Sequence, residues 1–134
     1  MSEQENVRVV EQAYNSFKTG DIATLLDLMA DDVVWELPAI AGVPYAGKRQ
    51  GRAAVGEFFA SIASAQDVRV FEPREFVAQN DKVVSLGHYE WQVKQTGRVF
   101  ASDFAHVFTI RDGKIAGFHE YLDTAVAAQA FQRA

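Results

Sequence analysis

The chain has 134 residues, enough for one domain spanning 1–134 with a real core, and its net charge is −5. It has no cysteine, which excludes a disulfide framework and a thiolate site and fits a reducing cytoplasm. The start, MSEQENVRVV, is polar, no basic stripe appears, and no apolar run nears the roughly 18 residues of a membrane helix; nucleic acid, membrane and export are set aside as partners or fates.

Helical spacing of Val7, Val10, Tyr14 and Phe17 predicts a helix over 5–18, ended by Gly20. Tyr14 lies on its apolar face, as a core tyrosine or as a hydroxyl aimed into a cavity. Asp21 caps a second predicted helix running through Met29, with Ile22, Leu25, Leu26 and Met29 inward. Asp31 and Asp32 read as its solvated end. A strand follows, VVWEL over 33–37, closed by Pro38. Alternation puts Val33, Trp35 and Leu37 on one face and Val34 and Glu36 on the other.

Residues 39–51, AIAGVPYAGKRQG, read as a Gly- and Pro-rich loop of the kind that often serves as a lid. Tyr45 is its one large side chain able to donate a hydrogen bond into a pocket. Lys48, Arg49 and Arg52 read as a solvated basic run. A third helix is predicted over 52–64, with Val55, Phe58, Phe59 and Ile62 inward.

The remainder is β. Residues 68–78 form a strand interrupted at Pro73, which suits an edge or a bulge. Asn80-Asp81 turns the chain into a strand over 82–95, and Thr96-Gly97 turns it into another over 98–110. If that turn has two residues, Tyr89 lies opposite Phe104 and Trp91 opposite Ser102. Asp123 caps a short last helix, AVAAQAFQ.

SDFAHVFTIRDGKIAGFHEYLD, residues 102–123, places a titratable group in each of two apolar strands, His106 and Glu120. The turn decides whether they meet. A three-residue loop, Arg111-Asp112-Gly113, sets His106 opposite Phe118 and makes Glu120 its diagonal neighbour on one face, roughly 7–8 Å away. A two-residue loop pairs His106 with His119 and turns Glu120 away. The three-residue loop is the expectation, because it gathers Phe104, His106, Phe108, Phe118, Glu120 and Leu122 on one wall. The elements together describe an α+β fold: a cone-shaped, curved antiparallel sheet, three helices from the N-terminal half on its concave face, and a short C-terminal helix. The mouth of such a cone is a natural pocket.

NSFKTGDIATLLDLMADDVVWE, then GRAAVGEFF, then a strand ending DGKI before an aromatic strand and an Asp, resembles the nuclear transport factor 2-like superfamily. Within it, the ketosteroid isomerase-related, SnoaL-like group is the nearest match. The resemblance covers nearly the whole chain. It implies the cone fold and one of several activities: isomerase, polyketide cyclase, epoxide hydrolase, dehydratase, or binding alone. The steroid-isomerase residues are not intact. Its base, an Asp before the Pro, is Leu37 here; its helix tyrosine falls on Ala13, beside Tyr14; its second Asp falls on His106. The inward positions it implies are Trp35, Leu37, Tyr89, Trp91, His106, Phe118 and Glu120.

The expected activity is therefore general acid–base proton transfer on an apolar cyclic or polyketide-like carbonyl compound. Imidazole changes charge between about pH 5 and 8, which suits such work. Glu120 is the expected base, and His106 the acid or oxyanion donor, assisted by Tyr14 or Tyr45. Trp35, Leu37, Tyr45, Tyr89, Trp91, Phe104 and Phe118 are the expected substrate contacts. Three histidines without helical i, i+4 spacing imply no metal, and no cofactor motif is present. The alternative is a non-catalytic apolar-ligand or dimerisation domain. A homodimer through Val107, Thr109, His88 and Val99 is expected either way.

Overall fold

The structure is a computed structural model and describes residues 2–132. Helix α1 spans Glu3–Lys18. It begins earlier than hydrophobic spacing indicates because Ser2 and Glu5 form a capping box: the Ser2 hydroxyl accepts from the Glu5 amide and the Glu5 carboxylate accepts from the Ser2 amide, each at 3.1 Å. Hydrogen bonding to Ser2, first from its backbone amide, holds the Glu5 carboxyl below its ordinary pKa. Val9, Val10, Ala13 and Tyr14 are buried, while Val7 and Phe17 are half-buried. Helix α2, Ile22–Asp27, is capped by Asp21, which accepts from the Thr24 amide. It stops before Met29, where the sequence pattern carries it on. Met29 instead opens strand β1, Met29–Leu37, and its carbonyl accepts two bonds from Arg52, at 2.9 and 2.6 Å. Asp31 and Asp32 are thus exposed strand residues rather than a helix end. They pair with Arg52 and Arg111.

The stretch expected as one loop contains strand β2, Gly47–Gln50, which pairs antiparallel with β1. Lys48 and Arg49 alternate faces on it, so the basic run does not converge: Lys48 is exposed, the Arg49 guanidinium lies 5.9 Å from the Phe58 ring, and Arg52 is engaged as above. Helix α3 is Arg52–Ala65. Strands β3, Gln66–Gln79, β4, Lys82–Val93, β5, Val99–Arg111, and β6, Lys114–Tyr121, follow, and α4, Thr124–Phe131, is capped by Asp123 as expected.

The six strands form one curved sheet in the order β2-β1-β6-β5-β4-β3, with β1 and β6 parallel and the other neighbours antiparallel. β3 is one edge and β2 the other; the β3 register shifts between Val68 and Val70 and again after Pro73, whose ring removes a ladder donor. The helices of the N-terminal half cover the concave face, where alternate residues of β4 and β5 are buried.

Two registers differ from expectation. The β4–β5 loop holds Lys94 to Gly97, not two residues, so Trp91 pairs with Phe100, Tyr89 with Ser102 and Ser85 with His106. The slip is even, so each side chain keeps its face. At the β5–β6 turn the loop is Asp112-Gly113 alone, both with positive φ (53° and 76°), a type I′ geometry. Arg111 pairs with Lys114 and Ile110 with Ile115. Then Ala116 is an extra residue, a β-bulge, and Thr109 pairs with Gly117. From there His106 stands opposite Glu120 rather than diagonal to it.

Candidate functional site

β5 supplies His106 and β6 supplies Glu120, and both side chains are buried on the concave face. His106 Nε2 lies 2.7 Å from Glu120 Oε2. On the far side of the ring, Nδ1 lies 2.8 Å from the Tyr14 hydroxyl on α1. Tyr89, on β4, donates to Glu120 Oε1 at 3.3 Å. An ionised carboxylate only accepts, so with Glu120 in that form the bond is Nε2–H donating to it. In the neutral ring Nδ1 is then an acceptor, and Tyr14 donates to it. The four groups form one chain, Tyr14–His106–Glu120–Tyr89, drawn from four elements.

The tyrosines remain donors well into alkali. Burial pushes the Tyr14 phenol far above its ordinary value, and the Glu120 charge adds to that. The Ser85 hydroxyl, fully buried and opposite His106 in register, lies near enough to oppose the shift but makes no hydrogen bond of ordinary geometry. Tyr45 and Tyr89 are likewise pushed up, first by burial and then by the Glu120 charge.

This chain of groups borders a cavity of about 70 Å³. Its walls are otherwise apolar: Phe17 from α1, Leu25 from α2, Phe58, Phe59 and Ile62 from α3, and Trp35, Phe71, Trp91, Phe108 and Phe118 from the sheet. Trp35 and Phe118 stack at 3.8 Å across the parallel β1–β6 pair. The volume admits waters or a small molecule. A ring-sized substrate, whose pockets run to roughly 300–1,000 Å³, needs more room than this.

Of the expected contacts, Trp35, Tyr89, Trp91 and Phe118 line this cavity, as do His106, Glu120 and Tyr14. Leu37, Tyr45 and Phe104 are buried but do not line it. Leu37 belongs to the core. Tyr45 donates to the buried Gln66 side chain at 2.9 Å and packs edge-on against Phe58 and Phe131, which ties the 39–46 segment down rather than leaving it free as a lid. Phe104 stacks behind the imidazole. Sequence reasoning placed Phe17, Phe58, Phe59 and Ile62 inward without assigning them to a cavity. It missed the Trp35 Nε1–H, which is buried with no acceptor among the described residues. No cluster of three acidic or histidine side chains among the described residues is arranged to hold a metal, and no described helix is long and apolar enough to cross a membrane.

The SnoaL-like domain family matches residues 10–118. An NTF2-like protein from Burkholderia xenovorans is 34% identical, with 98% of this chain and 99% of that chain covered and a TM-score of 0.91. An NTF2-like protein from Burkholderia thailandensis is 26% identical over 99% of this chain and 100% of that one, with a TM-score of 0.87. TerC, co-crystallised with polyporic acid, is 27% identical over 96% and 99% of the two chains, with a TM-score of 0.79. No curated protein matches the sequence. The chain belongs to the SnoaL-like family, within the NTF2-like superfamily.

Proposed function

We propose that the chain is a cofactor-independent enzyme that moves a proton beside a carbonyl group of an apolar cyclic or polyketide-like compound, in an isomerisation, cyclisation or dehydration. The observation that carries this is the 2.7 Å contact between His106 Nε2 and Glu120 Oε2, buried at the wall of an aromatic cavity. Glu120 is the base. Its Oε1 holds only the long bond from Tyr89, so that oxygen takes the proton from the substrate carbon. The C–H electrons form the new C=C bond, and the carbonyl electrons move onto oxygen. Tyr89 and the unpartnered Trp35 Nε1–H are the donors available to that oxygen. Both nitrogens of His106 are engaged, so it acts through Glu120, orienting the carboxylate, with Tyr14 holding the ring from behind. A neighbour of this fold co-crystallised with an organic acid supports a small-molecule ligand. The outer sheet face, where Val99 and Leu86 are exposed, is the surface for a homodimer.

A second reading is a passive ligand or dimerisation domain. It is favoured by the smallness of the cavity and by the way the four polar groups satisfy one another. Deuterium exchange separates the two. Wild-type protein in D₂O, given a panel of cyclic enones, unsaturated ketones and 1,3-diketones, should label the carbon next to the carbonyl faster than buffer does. Glu120→Gln should lower that rate on the order of 10²-fold or more. Binding across the panel without exchange would leave the passive reading.

A further inference from the structure

We infer that Phe104, seated over Gly87, fixes the plane of the His106 imidazole and is a positioning residue for the acid–base pair. This rests on the acid–base reading above for its functional meaning. Phe104 and His106 stand two apart on one face of β5, yet their rings stack with centroids 4.1 Å apart and planes 19° apart. Other rings meet the imidazole at steep angles, with Phe118 at 60°, Phe108 at 80° and Tyr14 at 45°. Phe104 is thus the flat support. Its other neighbours hold it flat, since it stacks on Phe71 with planes 11° apart.

Gly87 explains how the ring leans so far. It is the cross-strand partner of Phe104. A Cβ built at Gly87 would lie 2.5 Å from the Phe104 Cζ and 2.4 Å from the Glu72 carbonyl oxygen. The space a side chain would fill at 87 is taken by the tip of the Phe104 ring. Phe104 does not line the cavity, so it does not touch a ligand there. Its effect passes through the imidazole, whose two bonds, to Glu120 and Tyr14, need the ring plane held because hydrogen bonds weaken steeply off axis.

The test is Phe104→Leu, with Phe100→Leu as its control. Phe100 is an equally buried ring on the same face of β5, outside the cavity and away from His106. Nitrogen-15 NMR of the histidine side chain reads the Nε2 proton without any turnover. In Phe104→Leu that proton should exchange with water about tenfold faster, the loss expected when one hydrogen bond gives up its net strength, and the ring nitrogens should shift toward averaged tautomers. In Phe100→Leu both signals should stay as in wild type. If the two variants behave alike, the positioning role is overturned. Once a substrate is known, Phe104→Leu should lower kcat with KM unchanged. The functional reading fails separately: if Glu120→Gln exchanges deuterium at the wild-type rate, Glu120 is not the base and the pair has no acid–base role to position, yet the NMR contrast still reports what Phe104 does to the ring.

Discussion

His106 and Glu120 face each other because one extra residue in β6 offsets the register that the turn sets. The Asp112-Gly113 turn, continued as a regular ladder, sets His106 against His119 and sends Glu120 to the outer face. The extra residue Ala116 advances β6 by one place and returns Glu120 to the concave side.

Deleting Ala116 should therefore straighten β6 without parting the pair. Arg111–Lys114, Ile110–Ile115 and Thr109–Gly117 remain partners in a ladder with no extra residue. The cost falls on β1, whose pairing with β6 is also irregular between Met29 and Val34. A loss of about 0.5–3 kcal/mol in urea unfolding is expected, with the Nε2 proton signal of His106 retained. Loss of that signal in a folded deletion variant would show that the bulge itself brings the two groups together.

Removing one partner of the buried pair should harm stability more than removing both. His106→Ala strands the Glu120 carboxylate among rings and should cost about 3–5 kcal/mol, read from denaturant midpoints. His106→Leu with Glu120→Met removes the buried charge but leaves the Tyr14 and Tyr89 hydroxyls without these partners, so it should lose stability, yet less than His106→Ala. Equal losses in the two proteins would mean that packing, not charge, dominates at this spot.

Stability should fall in alkali because the buried tyrosines resist ionisation. Tyr14, Tyr45 and Tyr89 keep their protons in the folded chain above the ordinary tyrosine value of about 10, at which the unfolded chain releases them. Above that pH the unfolded state binds fewer protons, so stability declines as pH rises; below it their contribution is complete and flat. Each adds a slope of up to about 1.4 kcal/mol per pH unit. Unfolding free energies measured from about pH 8 to 11 should bend downward near 10, and Tyr89→Phe should soften the bend. A flat profile across that range would mean that these phenols ionise in place.

The sequence carried the concave face well. Trp35, Tyr89, Trp91, His106, Phe118 and Glu120 follow from alternation and all line the cavity. That result survived two wrong turns because each register error was even, and even slips preserve faces. The bulge did leave a mark: Ile115 and Phe118 are both buried but three apart, one step out of strand period. β2 was hidden because a four-residue strand that itself opens on Gly47 and is followed by Gly51 carries almost no period, and β1 was cut short because Met29 fits a helix face as well as a strand. Helical spacing put Phe17, Phe59 and Ile62 inward. Whether such a side chain fills the core or walls a void depends on how α1 and α3 approach each other, which no local pattern encodes. Phe104 failed for the same reason, since its lean over Gly87 is a cross-strand matter.

The parallel pairing of β1 with β6 has a cost during synthesis. Trp35 leaves the ribosome about eighty residues before Phe118, the ring it stacks upon, and contacts so distant along a chain form slowly. Until the last strand emerges, the Trp35 surface of β1 lacks both its stacking partner and its link to β5, β4 and β3. A nascent chain halted before residue 115 exposes that surface and is a ready substrate for chaperones or a seed for aggregation.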